Sequence, residues 1–188
     1  MKNQKNNFYI ITGGPGVGKT TLLKQLEKMG YRTVDEDARQ IIKEQMQSNG
    51  EGLPWRDKEL YTHLMINTSV NSFKNISQDQ NNLIFFDRGI IDAYCYADMI
   101  GLAISNEMKN IVDTHQYNPT VFILPPWPEI YETDAERKQT WEEAFETYSS
   151  MKNTYSIYGY QVVDVPLDSV EKRAAFILNH INDLNDIP

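Results

Sequence analysis

Eight residues carry the plainest chemistry in this chain: Gly13-Gly14-Pro15-Gly16-Val17-Gly18-Lys19-Thr20. They satisfy G-x-x-x-x-G-K-[ST] at Gly13, Gly18, Lys19 and Thr20. Glycines allow backbone conformations that a Cβ forbids, so consecutive N–H groups can converge on one anion. A helix starting at the end of the loop adds its unbonded N–H groups and positive dipole end. Lys19 brings an ammonium for β- and γ-phosphates, and Thr20 brings a hydroxyl for magnesium. A chance glycine turn would demand no special flanks, whereas here an apolar run, Phe8–Thr12, precedes the loop and a helical pattern, Gly18–Met29, follows it. The expectation is a nucleoside triphosphate held by Gly13, Gly14, Pro15, Gly16, Val17, Gly18, Lys19, Thr20 and Thr21.

Such a site needs another oxygen donor for the metal. The apolar run Leu83-Ile84-Phe85-Phe86 ends in Asp87, and an acid at the carboxyl end of a parallel strand points into the ligand crevice. Thr20 and Asp87 are therefore the expected magnesium ligands, the alternative being that Asp87 caps the next helix. Asp87-Arg88-Gly89 resembles the D/E-R-x signature after the third strand of deoxynucleoside and thymidylate kinases. That resemblance implies an acid serving the metal or the reacting hydroxyl and an arginine contacting substrate or phosphate.

Two more clusters face the same crevice. The second apolar run ends in Val34-Asp35-Glu36-Asp37-Ala38-Arg39, three carboxylates and an arginine that could hold or deprotonate an acceptor hydroxyl. The other reading is an acidic helix start with Arg39 paired to Glu36 or Asp35 at helical spacing. Asp35, Glu36 and Asp37 stay unranked as base, with Glu36 and Arg39 the first choices. The segment from about 125 to 140 includes Arg137 and Lys138, which could close over the phosphates as a lid. They could equally be a solvated helix face paired with Glu136 and Glu142. Trp127 in this proline-rich stretch could cover a substrate or simply pack. The loop after the fifth run, Val163–Leu167, is placed where P-loop kinases pass the adenine base.

The elements that must position these groups alternate. Apolar runs at Phe8–Thr12, Tyr31–Val34, Leu83–Asp87, Thr120–Leu124 and Gln161–Val165 read as buried parallel strands. Helical patterns fall between them at Gly18–Met29, Asp37–Gln47, Arg56–Ile76, Ile90–Ile100, Asn106–Thr114, Asp134–Ser156 and Ser169–Leu184. The expectation is an α/β fold: a three-layer α/β/α P-loop NTPase sandwich whose five parallel strands lie in the order 2-3-1-4-5. Trp141, Phe145 and Tyr148 repeat at helical spacing and are expected to pack on the core.

Composition narrows the class. With 188 residues and 40% hydrophobic content, one compact domain over 1–188 is expected. A net charge of −8 argues against a general nucleic-acid binder. One cysteine, Cys95, and three scattered histidines, His63, His115 and His180, offer no disulfide and no zinc or redox motif. The polar start and the short Phe8–Ile11 run do not make a signal peptide or a membrane span, so a cytoplasmic protein is expected. No Asn-Lys-x-Asp guanine motif is present, since Asn110 and Asp113 lack the lysine between them. ATP is therefore the expected nucleotide.

Taken together, these pieces resemble small bacterial P-loop proteins labelled AAA-domain or predicted ATPases. The matching segments are the loop itself, Val34–Arg39, Gly52–Trp55, Phe85–Gly89, Leu124–Gln139 and Gly159–Pro166. One departure is Asp35, where relatives often carry an apolar residue or proline. The resemblance implies ATP with magnesium and says little of the substrate. Hexameric AAA+ motors add a helical lid domain after the nucleotide core, whereas here one helix is expected after the fifth strand, a layout closer to a nucleoside or nucleotide kinase. Two functions follow. One is a phosphotransferase acting on a small metabolite such as a nucleoside or nucleotide, with Lys19, Asp87, Glu36, Arg88 and Arg137 as catalytic groups and Asp35, Glu36, Arg39, Arg88 and Lys138 on the acceptor. The other is a regulatory or switch ATPase whose lid region binds a protein partner. A closed acceptor pocket between Glu36, Arg39, Asp87 and Arg88, facing the γ-phosphate site, would favour the first; side chains that pair with each other and fill the space would favour the second.

Overall fold

A computed structural model describes residues 3–76, 82–130 and 140–185. In chain order the elements are β1 (Asn3–Gln4), β2 (Phe8–Gly13), α1 (Lys19–Lys28), β3 (Arg32–Val34), α2 (Asp37–Gln47), α3 (Lys58–Asn75), β4 (Ile84–Asp87) and α4 (Ile90–Met99). Then come α5 (Asn106–Thr114), β5 (His115–Gln116), β6 (Thr120–Leu124), a 3-10 turn (Pro128–Ile130), α6 (Trp141–Ile157), β7 (Gln161–Asp164) and α7 (Val170–Asn185).

Five strands form one parallel sheet ordered β3-β4-β2-β6-β7. Counted as the five apolar runs of the sequence, that is second, third, first, fourth and fifth. The central strand explains its own position: all six residues of Phe8–Gly13 are buried, as a strand covered on both faces requires. Successive side chains alternate between faces. Phe8 and Ile10 join Phe73, Phe86, Tyr94 and Tyr117 on one side, under α3, α4 and α5. Tyr9 and Ile11 join Leu22, Leu26, Phe122 and Ile177 on the other, under α1 and α7. These are the layers of an α/β/α sandwich.

The structure adds one pairing outside the five expected strands: Asn3 and Gln4 pair in parallel with His115 and Gln116 as a separate two-stranded sheet. Such a short polar pairing has no apolar alternation to announce it. Of the helix expected over Asp134–Ser156, residues 134–139 lie outside the described residues; the described part starts at Trp141, where the Thr140 side chain and Glu143 form a reciprocal capping box. Its aromatic stripe packs only in part: Tyr148 is half-buried against Cys95, Ile123 and Met151, whereas Trp141 is 38% and Phe145 54% exposed, and Ala144, Met151, Thr154 and Tyr155 supply the buried face. Among the described residues, no helix is long and apolar enough to cross a membrane.

Phe8 is fully buried, with ring centroids 5.5 Å from Phe73 and 5.0 Å from Phe86. Phe8→Ala removes a ring that rigid neighbours cannot replace and is expected to cost about 3–5 kcal/mol. Urea denaturation monitored by circular dichroism measures this; a change under about 1 kcal/mol would mean that this face of the sheet is not the close-packed core.

Candidate active site

The glycine loop is shaped by the sheet beneath it. Strand β2 runs between β4 and β6 in a register that sets Ile11 beside Asp87 and Gly13 beside Leu124. Gly13 has φ +143°, and a Cβ there would lie 2.7 Å from the Leu124 carbonyl oxygen. Gly18 turns the chain into α1 at φ +84°. The loop thus ends on a helix N-terminus whose N–H groups face the crevice.

Lys19 is 8% exposed, and its Nζ donates to the carbonyls of Gly13 (3.2 Å) and Gly14 (3.3 Å). Burial lowers its pKa to about 8, with Arg88 adding to the effect and Asp87, Glu36 and Asp92 opposing it. Residues Pro15 to Thr21 border a cavity of about 570 Å³. Glu36, Arg39 and Arg88 wall one side, and Trp127, Asp168, Ser169, Val170 and Arg173 complete the lining.

A second cavity of about 500 Å³ is bordered by Thr20, Asp87 and the segment from Val34 to Asp37, with Arg39, Gln40 and Lys43. Thr20, Glu36 and Arg39 border both spaces. Asp87 is 9% exposed, and its Oδ1 has no hydrogen-bond partner. Burial raises its pKa, against the pull of Lys19. It is not the helix cap of the alternative reading: Gly89 is the N-cap of α4, and Asp92 accepts from the Gly89 N–H at 2.8 Å. A buried, unpartnered carboxylate oxygen and the Thr20 hydroxyl beside one cavity fit a hard divalent cation that keeps waters and phosphate oxygens as its other ligands. Among the described residues no group of three or more His, Cys, Asp or Glu could hold a metal alone, so a magnesium ion here would rely on those other ligands.

The acidic segment separates into three environments. Asp35 is exposed. Asp37 accepts from Ser72 at 2.9 Å, and burial raises its pKa while that bond opposes the rise. Glu36 accepts from Arg88 Nε at 2.8 Å and lies 3.7 Å from Arg39. Burial would raise the Glu36 pKa, but Arg88 and Lys19 outweigh it and hold the carboxyl below its usual range. For Arg88 burial opposes the charge, while Glu36, Asp92 and Asp87 more than compensate and raise its pKa. Arg88 also has φ +70°, a conformation costing a non-glycine residue about 1–2 kcal/mol. Its N–H donates to Ile11 at 3.0 Å, anchoring the turn to β2.

The structure therefore gathers Lys19, Thr20, Glu36, Arg39, Asp87 and Arg88, leaves Asp35 at the rim, and ties Asp37 to α3. Arg137 and Lys138 lie outside the described residues. Two contributors went unnoticed in the sequence. Arg173, 5% exposed, donates from Nη2 to the Val17 carbonyl at 3.1 Å and lies 5.7 Å from the Trp127 ring. A basic residue in the first turn of the last helix looked like ordinary surface. Asp92, which accepts from Arg88 Nη1 at 3.2 Å, was hidden as the fourth residue beyond Arg88, although an acid near a helix start is a capping signal.

Residues 8–173 match the family described as AAA domain, the greater part of the chain. This chain belongs to that AAA-domain family. Among curated proteins none matches it. Several solved structures share the fold of this AAA-domain chain. NadR in complex with NR aligns with a TM-score of 0.71 at 16% identity, covering 98% of this chain and 52% of the other. The chain thus spans about half the length of that NadR chain. Thymidylate kinase from Ehrlichia chaffeensis aligns with a TM-score of 0.60 at 14% identity, covering 93% and 97%. Deoxyadenosine kinase from M. mycoides aligns with a TM-score of 0.59 at 18% identity, covering 94% and 99%. At these identities the likeness is one of fold, and the fold is that of the P-loop kinases.

The Lys19 environment sets a pH dependence. Its ammonium is lost as pH rises through about 8, and a bound polyphosphate favours the protonated form. Affinity for a nucleoside triphosphate is expected to fall above that pH by up to about tenfold per unit. Calorimetric titrations from pH 7 to 9.5 measure it, and Lys19→Gln should flatten the profile. Equal slopes in the two proteins would remove Lys19 from phosphate binding.

Proposed function

We propose that this protein is an ATP- and magnesium-dependent phosphotransferase acting on a small hydroxyl- or phosphate-bearing metabolite, such as a nucleoside or nucleotide. The observation that carries the reading is the second cavity of about 500 Å³, which meets the loop cavity at Thr20, Glu36 and Arg39 and is lined by the unpartnered Asp87. A site that only hydrolysed ATP would need room for a water, whereas this space would admit an acceptor.

The roles follow from the geometry. Lys19 and the loop N–H groups hold the β- and γ-phosphates. Thr20 and Asp87 would hold magnesium, which supplies charge neutralisation on the phosphate oxygens. Among the three adjacent acids, only Glu36 borders both cavities. Its carboxylate is held ionised by Arg88, which makes it a weak base and a good hydrogen-bond acceptor. A largely dissociative phosphoryl transfer asks more for orientation than for a strong base. Glu36 therefore orients the acceptor hydroxyl, whose oxygen forms the new bond to the γ-phosphorus as the bond to the β-phosphate oxygen breaks; that bond's electron pair leaves on the nucleoside diphosphate, and the hydroxyl proton passes late in the transfer to Glu36 and on to water. Arg88 neutralises charge in this step, with Arg137 and Lys138 assigned to the same task from the lid segment. Cytoplasmic residence and a single domain over 1–188 complete the reading.

The NadR structure contains NR, and the deoxyadenosine kinase structure contains the products dCMP and dCDP, so nucleoside-like acceptors head the list to be tried. The switch ATPase has one observation in its favour: Glu36 and Arg88 pair with each other. They do not fill the space beside them, however, and Trp127 is half-buried over Arg173 rather than presented to a partner.

Incubating the protein with γ-labelled ATP, magnesium and a library of nucleosides, nucleotides and small polyols is expected to yield a labelled acceptor. Slow phosphate release with no acceptor modified would leave the switch reading instead. Asp87→Asn should lower magnesium-dependent turnover by at least about tenfold. Lys19→Ala should abolish nucleotide binding or turnover under either reading, and unchanged affinity and rate would remove both.

A further inference from the structure

The Asp92 side chain is 9% exposed and accepts from four groups. Its Oδ1 takes the Thr12 hydroxyl (2.5 Å) and Arg88 Nη1 (3.2 Å), and its Oδ2 takes the Gly89 N–H (2.8 Å) and the Tyr155 hydroxyl (2.5 Å). Capping α4 requires only the Gly89 bond. The other three donors come from β2, from the turn after β4, and from α6. We propose that Asp92 is the positioning residue for Arg88, fixing the guanidinium relative to the phosphate loop. The proposal goes beyond the active-site roles given above, and only its turnover arm rests on the phosphotransferase reading.

Three features support this. First, Arg88 has two carboxylate partners of unequal footing. Glu36 is shared with the exposed Arg39 and sits immediately before α2, whereas Asp92 is fixed from both ends of its carboxylate. A charge held by a carboxylate with three further bonds loses less freedom on ordering than one held by a mobile acid. Second, Thr12 immediately precedes Gly13, so the same carboxylate that grips Arg88 also grips the strand carrying the loop. A displacement of one would be felt by the other. Third, Arg88 keeps a left-handed backbone at φ +70°, a conformation that persists only where the surroundings dictate it.

The test reads Arg88 directly. In ¹⁵N-labelled protein the Arg88 Nε–H group, bonded to Glu36, gives a side-chain signal whose order parameter reports the guanidinium; Arg88→Lys assigns it. Asp92→Asn places an NH₂ group where it must face one of the donors and removes the charge. The expected result is a folded protein, by circular dichroism, in which the Arg88 Nε signal loses order. Tyr155→Phe removes one donor without touching Arg88 and should lower Tm while leaving that signal unchanged. Glu36→Ala serves if Asp92→Asn does not fold: Arg88 should stay ordered because Asp92 still holds it. Loss of Arg88 order in Glu36→Ala, or an unchanged signal in folded Asp92→Asn, overturns the proposal.

A double-mutant cycle adds the functional arm. Asp92→Asn alone should lower turnover at least about tenfold at ATP affinity within about twofold of the parent, and should add no more than about twofold to Arg88→Ala. Additive losses would mean that Asp92 acts through the fold and not through Arg88. If no phosphotransfer is found for the parent protein, the phosphotransferase reading fails and the Arg88 order measurements still decide the role of Asp92.

Discussion

Two cations and three carboxylates lie together at the carboxyl ends of β2 and β4. Lys19 and Arg88 are the cations and Asp87, Glu36 and Asp92 are the acids; the charges of Lys19, Glu36, Asp87 and Arg88 shift one another. Burying any one alone would be prohibitive, since removing an ion from water costs several kcal/mol even after relaxation. Burying them as a set is tolerable only if each keeps a defined partner. Arg88 reaches Glu36 and Asp92; Asp92 is filled by Thr12, Gly89 and Tyr155; Lys19 rests on the loop carbonyls. Asp87 stands apart, with an Oδ1 that no group among the described residues satisfies. That inequality marks the cluster as a candidate site, since a fully satisfied network would be structural and an unsatisfied buried carboxylate oxygen is costly without a partner.

The sheet exists in this form to present that cluster. A fully buried central strand forces helices onto both faces, and parallel connections bring the loops after β2, β3 and β4 to the same edge. The Gly13 register against Leu124 leaves no room for a side chain, which places the loop backbone within reach of a ligand. On the far side, Arg173 bonds the Val17 carbonyl and lies against Trp127, so α7 and the segment after β6 brace the loop from outside the sheet. The two cavities meet along Thr20, Glu36 and Arg39, so a single carboxylate borders both spaces.

Much of this was legible beforehand, for local reasons. Asp37–Gln47 and Asn106–Thr114 were bounded to the residue because acidic, polar and turn-forming neighbours sit at their ends. The phosphate loop was legible because its glycines, lysine and threonine are contiguous. What stayed hidden depends on distance in sequence. Asp92 meets Thr12 and Tyr155 across 80 and 63 positions, and Arg173 meets Val17 across 156. The buried face of α6 was legible only in part for the same reason: its aromatic period is a property of the helix, but which face turns inward depends on where α4 stands.

By itself the sequence determined the glycine loop and the alternation of strands and helices, because both are written in adjacent residues and short periodicities. The Glu36–Arg39 pair follows helical spacing, but tertiary structure alone decided which of three neighbouring acids borders both cavities, that Asp92 and not Asp87 does the capping, and that Glu36 also holds Arg88. The physical reason is that charge pairing and desolvation act through space. A carboxylate's role depends on what burial brings within about 3 Å of it, and no spacing along the chain encodes that.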